Sequence, residues 1–197
     1  MRLALPLFLC SLFTFHCSMD SQLNQTFFPK HNPHLKIQPV QKITEVDFNN
    51  FPCYLAPDFE APYRISNGSY LSREFDSVGL PSAAHQIEIR NVTRSESTDS
   101  YVILHVYNQY SSGSSWRDSQ LHLYGVRNQS LYLLSTLFYD GSEIEIDMDR
   151  EGTIKVQSQA YLDGDANCCP GALEYDEFTV ENDSFVLKAF QTVKRRQ

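Results

Sequence analysis

The sequence predicts a mainly β fold: an antiparallel meander that forms a curved sheet, a sandwich or an incomplete barrel, with little helix. Apolar and polar residues alternate in runs such as "EIEID", and short polar turns separate these runs. No stretch repeats apolar residues every 3.6 positions over three turns, so long helices are not expected. Aromatic residues make up 13% of the chain, with 11 Tyr and 13 Phe, and strands favour these residues.

The composition excludes some classes of partner. The chain has 197 residues, which is enough for one domain with a real core, and its formal net charge is −8. Nucleic acids and anionic lipid surfaces both attract clusters of Lys and Arg. The basic run at 194–196 is short and terminal, as is typical of a solvated tail. We therefore expect no nucleic-acid partner.

The N-terminus has the pattern of a signal peptide, which we assign to residues 1–19. Arg2 precedes an apolar run from Leu3 to Phe15, which is shorter than the about 20 residues that span a bilayer. Cys17 follows this run and is a candidate for lipidation. Simple secretion is the favoured outcome, and lipidation and an uncleaved anchor are the alternatives. The expected location is the periplasm, the cell envelope or the extracellular space, with the membrane contacted only through such an anchor.

Residues 20–43 contain three prolines and no periodicity, which predicts an irregular N-terminal arm or linker. A single β domain is expected over 44–193. Within it, the run "YVILHVY" at 101–107 is apolar on both faces, which predicts a central strand covered on two sides. A short helix is predicted around 71–78. Hairpin turns are predicted at four places: Asn67-Gly68, 127–129, 150–152 and 181–184.

Five Asn-x-Ser/Thr sequences occur, at Asn24, Asn67, Asn91, Asn128 and Asn182. In a eukaryotic secreted protein they would be glycan acceptors. Several lie between alternating apolar runs, where Asn favours turns for reasons of its own backbone. We favour the turn interpretation, and glycosylation stays open because the host is unknown.

A Ser/Gly-rich loop is predicted at 110–119, and it carries the sole tryptophan, Trp116. An aromatic residue on a loop can contact a ligand. It can equally fold back over the edge of the sheet. We treat Trp116 as a candidate ligand contact.

One acidic loop resembles a calcium site. Asp163, Asp165 and Asn167 occupy positions 1, 3 and 5 of the EF-hand pattern, and Glu174 occupies position 12. Cys168 stands at position 6, where the sharp turn needs Gly, and no helices are predicted beside the loop. Calcium is therefore a weak cofactor candidate, and no other cofactor is predicted.

Motifs of known catalytic sites are missing from the sequence. It contains no G-x-S-x-G, no C-x-x-C, no phosphate-binding loop and no dinucleotide fingerprint. His105 and His122 lie in adjacent predicted strands and could face each other. Strand histidines between aromatic residues are more often packed and neutral than catalytic, so no catalytic residue is assigned.

Export implies an oxidising compartment, where disulfides persist. Once Cys10 and Cys17 are set aside, Cys53, Cys168 and Cys169 remain. A bond from Cys53 to Cys168 or Cys169 is the favoured pairing, and it would leave one spare thiol. A strained bond between the two adjacent cysteines, and free or metal-bound thiols, are the alternatives.

The segment "GDANCCPGALEYDEFTVENDSFVL" resembles the C-terminal signature of exported bacterial proteins related to the LppP/LprE lipoprotein family. In that signature an acidic Gly-Asp turn precedes Cys-Cys-Pro, here Cys168-Cys169-Pro170. "VDFNNFPC" resembles the family's opening strand, and the likeness spans roughly residues 44–190. The resemblance implies an exported, envelope-associated protein of unassigned activity, and it transfers no catalytic residue.

These observations favour an exported, non-enzymatic β-domain protein that binds a partner or a small ligand through loops such as 110–119. The rival hypothesis is an exported hydrolase that uses carboxylates among Asp163, Asp165 and Glu174. A metal-dependent, lectin-like module is the third hypothesis.

Overall fold

Antiparallel strands make up most of the protein, as a computed structural model shows for residues 30–94, 101–112, 114–140, 144–160 and 170–194. The predicted mainly β fold with little helix is confirmed. One three-residue 3-10 helix, Ile43–Glu45, occurs in the described ranges. In chain order the strands are β1 (Lys30–His31), β2 (Leu35–Pro39), β3 (Pro52–Cys53), β4 (Tyr63–Arg64), β5 (Ser69–Phe75), β6 (Pro81–Arg94), β7 (Tyr101–Ser112), β8 (Ser114–Arg127), β9 (Ser130–Asp140), β10 (Glu145–Met148), β11 (Ile154–Ala160), β12 (Ala172–Glu181) and β13 (Ser184–Lys194).

The strands form two meanders and one small ribbon. Strands β5 to β9 pair in sequence order in a seven-stranded sheet, and β1 and β2 both pair with β9. Strands β10 to β13 form a four-stranded sheet in sequence order, and β3 pairs with β4. All pairings are antiparallel. The arm predicted to be irregular therefore contributes two short strands to the edge of the larger sheet.

The predicted turns form because they contain residues that tolerate a left-handed backbone. Asn67-Gly68, Asn128-Gln129 and Asn182-Asp183 each place two consecutive residues at positive φ, as type I′ hairpin turns require. The turn between β10 and β11 uses Gly152 at φ +86°. All four predicted turns are confirmed.

The seven-stranded sheet is covered on both faces, as the pattern of β7 predicted. On one face Val102, Leu104 and Val106 pack against apolar side chains of the segment 43–65, among them Phe48 and Phe51. On the opposite face Ile103 packs in a second core, which the four-stranded sheet completes. The residues of that sheet in the second core include Ile154, Val156, Phe178 and Phe185.

A bulge keeps the apolar residues of β6 on one face. Ile87, Ile89 and Val92 all pack in the first core, although Val92 breaks the spacing of two. The register of β6 against β7 shifts between Ile89 and Asn91, which restores Val92 to the same side.

Two sequence predictions about local structure are wrong. The helix predicted at 71–78 is the strand β5 followed by a turn, because Ser69 to Phe75 pair with β6. The loop predicted at 110–119 consists mainly of the ends of β7 and β8, which pair up to Ser112 and Ser114. No helix in the part of the chain that the structure describes is long and apolar enough to cross a bilayer.

Candidate functional site

The described residues form an open cleft that we call the aromatic cleft. It has a volume of about 580 Å³, and its lining comprises residues 55–61, Tyr63, His85, Asn108, Tyr110 and Trp116. Binding sites for small ligands are typically about 300–1,000 Å³, mostly apolar, with a few polar groups. The cleft lies on the face of the larger sheet that the segment 43–65 covers.

The floor of the cleft is set by strand register. Tyr110 of β7 is directly opposite Trp116 of β8, and His85 of β6 is directly opposite Tyr110. Opposite residues of an antiparallel pair lie on one face of the sheet, so these three side chains are neighbours. Asn108, two residues before Tyr110, projects on the same face and is opposite Asp118.

One wall of the cleft is the chain between β3 and β4. Two hydrogen bonds hold it to the sheet: the Ala56 amide donates to Gln120 Oε1 at 2.9 Å, and Gln120 Nε2 donates to the Ala56 carbonyl at 3.4 Å. The Phe59 amide donates to the Leu55 carbonyl at 3.0 Å, which turns the chain. The Ala56-Pro57 peptide is cis. The wall is thus tied to a buried side chain of β8.

Aromatic rings surround His85. Its ring centroid lies 5.0 Å from that of Tyr63, 5.9 Å from that of Tyr70 and 6.0 Å from that of Tyr110, all in edge-on geometry. Edge-on pairs are a favourable arrangement of aromatic rings. Burial raises the pKa of Tyr63, and the neighbouring Tyr70 and Asp58 raise it further. Asp58 therefore lies close enough to Tyr63 to act on it electrostatically.

A line of hydrogen-bonded side chains, which we call the polar chain, runs from the cleft into the core. Asn108 Nδ2 donates to Asp118 Oδ2 at 2.9 Å, so Asn108 Oδ1 accepts from His85 Nε2 at 2.8 Å. Gln120 Nε2 donates to Asp118 Oδ1 at 2.9 Å. Asn108, Asp118 and Gln120 are all buried. Hydrogen bonds to buried side chains therefore hold the amide of Asn108 in place at the floor of the cleft.

The polar chain ends at His122 and Tyr124. Gln120 Oε1 can only accept, so His122 Nε2 donates to it at 2.9 Å, and the Tyr124 hydroxyl donates to His122 Nδ1 at 3.4 Å. Burial lowers the pKa of His122 to about 3 and raises that of Tyr124 well above its usual range. His122 is therefore neutral at all ordinary pH values.

His105 and His122 do not face each other, contrary to one expectation. His105 is opposite Leu121 and His122 is opposite Leu104, so the two rings project from opposite faces of the sheet. The sequence placed them correctly in adjacent strands. His122 is one residue away from the position opposite His105, and a shift of one residue along a strand moves a side chain to the other face of the sheet.

The predicted ligand contact, Trp116, does line the cleft. Its side chain is 42% exposed, and it projects from a strand, not from a loop. The cleft also contains Asp58, His85, Asn108 and Tyr110, which were not predicted from the sequence. A signal was present for the polar chain behind Asn108: Asp118, Gln120 and His122 place polar side chains at alternate positions of β8 and therefore on one face of the strand.

Three of the predicted calcium ligands, Asp163, Asp165 and Asn167, lie outside the described residues. The candidate for lipidation, Cys17, lies outside them too. Glu174 is described, and it is buried in β12. In the described ranges no group of three or more His, Cys, Asp and Glu side chains could hold a metal ion. The calcium prediction stays untested.

No disulfide is seen among the described residues. Cys53 is a free and completely buried thiol in the first core, and burial raises its pKa to about 12. Its place among Phe48, Phe51 and Ile65 is that of a small apolar side chain. Cys168 and Cys169 lie outside the described residues, so how these two cysteines pair stays a prediction.

A second group of polar side chains lies between the two sheets. Asp176 is 1% exposed, and neither of its carboxylate oxygens accepts a well-formed hydrogen bond from the described residues. Burial and then the charge of Glu174 raise the pKa of Asp176 to about 7, against the opposing effect of a contact with the Tyr139 hydroxyl, and burial also raises the pKa of Glu174. Burial, Asp176 and Glu174 raise the pKa of Tyr139 well above its usual range. This group is closed to a substrate from outside.

Comparison with protein-family models, with curated proteins and with solved structures finds no match to this chain. The resemblance of its C-terminal segment to the LppP/LprE lipoprotein family therefore stays a prediction.

Proposed function

We propose that the protein is an exported β-domain protein, secreted or attached to the cell envelope, that binds a small ligand in the aromatic cleft. The N-terminal signal-peptide pattern supports export. One observation carries the binding proposal: Trp116 and Tyr110 lie side by side above Asn108, whose amide the buried Asp118 holds. Rings give a ligand contact area, and a fixed amide gives it orientation.

The rival hydrolase hypothesis has less support. Glu174 is the described member of its carboxylate set, and it is 8% exposed and does not line the cleft. A carboxylate that cleaves a glycosidic bond must reach its substrate. We therefore treat the protein as a binding protein.

A titration of isotope-labelled protein with a library of cationic, neutral and saccharide fragments tests the proposal. Trp116 is the sole tryptophan, so its indole N–H gives one assigned nuclear magnetic resonance signal. We expect ligands to shift this signal and the amides of residues 55–63. A library with no hits, or with hits that map elsewhere, would contradict the proposal.

A matched pair of variants sharpens this test. Trp116 is 42% exposed and Phe190, outside the cleft, is 43% exposed, so truncating either one removes a similar half-exposed ring. Trp116→Ala should weaken the hits by about tenfold, because central aromatic contacts dominate binding. Phe190→Ala should leave the affinities unchanged.

A further inference from the structure

We infer that the aromatic cleft selects small organic cations of the quaternary-ammonium type. This inference rests on the proposed function and specifies the ligand class of the same site. Its basis is the combination of ring side chains and unneutralised acidic side chains around one open cavity.

The charges of the cleft have one sign. Asp58 and Glu60 are both exposed and both line the cleft. None of the described lining residues is Lys or Arg, and neither carboxylate forms an ion pair with a described residue. Asp118 lies buried directly behind the floor, where it accepts a hydrogen bond from Asn108. Asp58 and Glu60 would repel an anion and attract a cation.

The rings of the cleft suit a cation that is weakly hydrated. Phe59, Tyr63, Tyr110 and Trp116 line the same space of about 580 Å³ as the two carboxylates. Tetraalkylammonium groups are attracted to the electron-rich faces of such rings, and Trp is the best of them. A neutral sugar could use the rings and donate hydrogen bonds to the two carboxylates, but only a cation is also attracted by their charge.

The same chain uses this type of contact elsewhere. The guanidinium carbon of Arg90 lies 3.6 Å from the ring centroid of Tyr107. Tyr107 projects from the face of β7 opposite to Asn108 and Tyr110, because adjacent strand residues alternate. On that face Arg90 is the cation that contacts the ring. On the cleft face, Asp58 and Glu60 can attract a cation that comes from outside the protein.

The test compares choline with its uncharged isostere 3,3-dimethylbutan-1-ol, by calorimetry and by the fluorescence of Trp116. We expect choline to bind at least about tenfold more tightly than the alcohol, the difference that a cation over aromatic rings and beside carboxylates produces. Equal affinities would overturn the inference, while binding in the cleft would still support the proposed function. If neither probe binds but the fragment titration gives hits in the cleft, the inference about the ligand class is wrong and the proposed function is still supported.

Charge variants separate the carboxylates from the general shape of the cleft. The double change Asp58→Asn and Glu60→Gln should weaken choline binding by about tenfold and leave the affinity of the neutral alcohol unchanged. Asp147→Asn, an exposed carboxylate on β10 that does not line the cleft, should change neither affinity. Equal losses for both probes would show that the acids act through structure, and would overturn the inference.

A last arm distinguishes a free cation from a lipid head group. Vesicles of phosphatidylcholine present the same trimethylammonium group on a surface. We expect the protein to bind free choline and not to sediment with the vesicles. Sedimentation that requires Trp116, without binding of free choline, would contradict a free cation as ligand.

Discussion

The carboxyl group of Asp176 is buried, and it binds a proton more strongly in the folded protein than in the unfolded protein. Its pKa is about 7 in the folded protein, against 3.8 for an ordinary Asp. Between these values the folded state keeps a proton that the unfolded state has lost, so the free energy of unfolding falls as the pH rises. The stabilising contribution is complete below about pH 4 and is lost as the pH rises through 7.

Asp176→Asn should therefore stabilise the protein at pH 8 and should flatten the decline in stability between pH 4 and 7. A gain of about 1–3 kcal/mol is expected at pH 8, because the amide removes a buried charge. Urea unfolding at pH 5 and pH 8 measures the effect. Asp147→Asn, which changes an exposed carboxylate, should alter neither curve, and an unchanged slope in Asp176→Asn would contradict the assignment.

The thiol of Cys53 should be inert in the folded protein. It is completely buried and its pKa is about 12, so neither access nor the reactive thiolate is available. Iodoacetamide at pH 8 should leave Cys53 unmodified until urea unfolds the chain, as read by peptide mass spectrometry. Asp147→Cys, on an exposed position, provides a thiol that should react at once. A peptide that joins Cys53 to Cys168 or Cys169 would contradict a free thiol.

Some residues of the cleft were predictable from the sequence and others were not. Trp116 was identifiable because a sole tryptophan in a polar stretch stands out. His85 and Asp58 were not, because they come from distant parts of the chain and meet Tyr110 only through strand register and the wall between β3 and β4. Cys53 was assigned to a disulfide on the expectation of an oxidising compartment, whereas the structure shows it as a buried, free thiol.

At the scale of elements, the hairpin turns depend on a few residues at positive φ. Asn128 and Gln129 have φ of 50° and 56° between β8 and β9. Asn tolerates this region better than Ala, and Gly tolerates it best. Asn128→Ala should lower the free energy of unfolding by about 1 kcal/mol, while Asn128→Gly should be nearly neutral. Chemical denaturation of both variants measures this, and equal losses would show that the side chain of Asn128 matters and not its backbone.

An ion pair joins the turns of the two sheets. Arg127, at the end of β8, contacts both carboxylate oxygens of Asp183 in the turn after β12, with Nε 3.1 Å from Oδ2. Both side chains are partly exposed, so the pair contributes about 0.5–1 kcal/mol. Arg127→Lys should lose most of this, since a Lys cannot make the two-pronged contact. The loss should shrink in 1 M salt.

Elements were predictable where local chemistry decides them. The turns at Asn67, Asn128 and Asn182 were evident because few residues accept a left-handed backbone. The strand β5 and the paired ends of β7 and β8 were not evident, because Ser-rich and mixed polar sequences also suit helices or loops. Their strand conformation comes from pairing partners, such as Tyr110 with Trp116, that no local pattern reveals.

At the scale of the whole molecule, the larger sheet is the middle layer of three. Leu104 packs on the side of the segment 43–65 and Leu121 on the side of the four-stranded sheet, and both are fully buried. Leu104→Ala and Leu121→Ala should each cost about 2–5 kcal/mol. Because both layers share the sheet, each variant should shift the unfolding midpoints from Trp116 fluorescence and far-ultraviolet circular dichroism equally. Separate midpoints in Leu121→Ala would show that the four-stranded sheet unfolds alone.

The pairing of β1 and β2 with β9 has a consequence for the order of folding. Lys30 pairs with Leu137 and Leu35 with Leu133. The pairing partners of β1 and β2 therefore lie about a hundred residues later in the chain. Every other pairing in the larger sheet joins strands that follow each other in the chain. During synthesis the hairpins can close one by one, but the edge beside β9 can close only after residue 137 has left the ribosome. Strands β1 and β2 can therefore join the larger sheet only after β9 has been made, although they precede every other strand of that sheet in the chain.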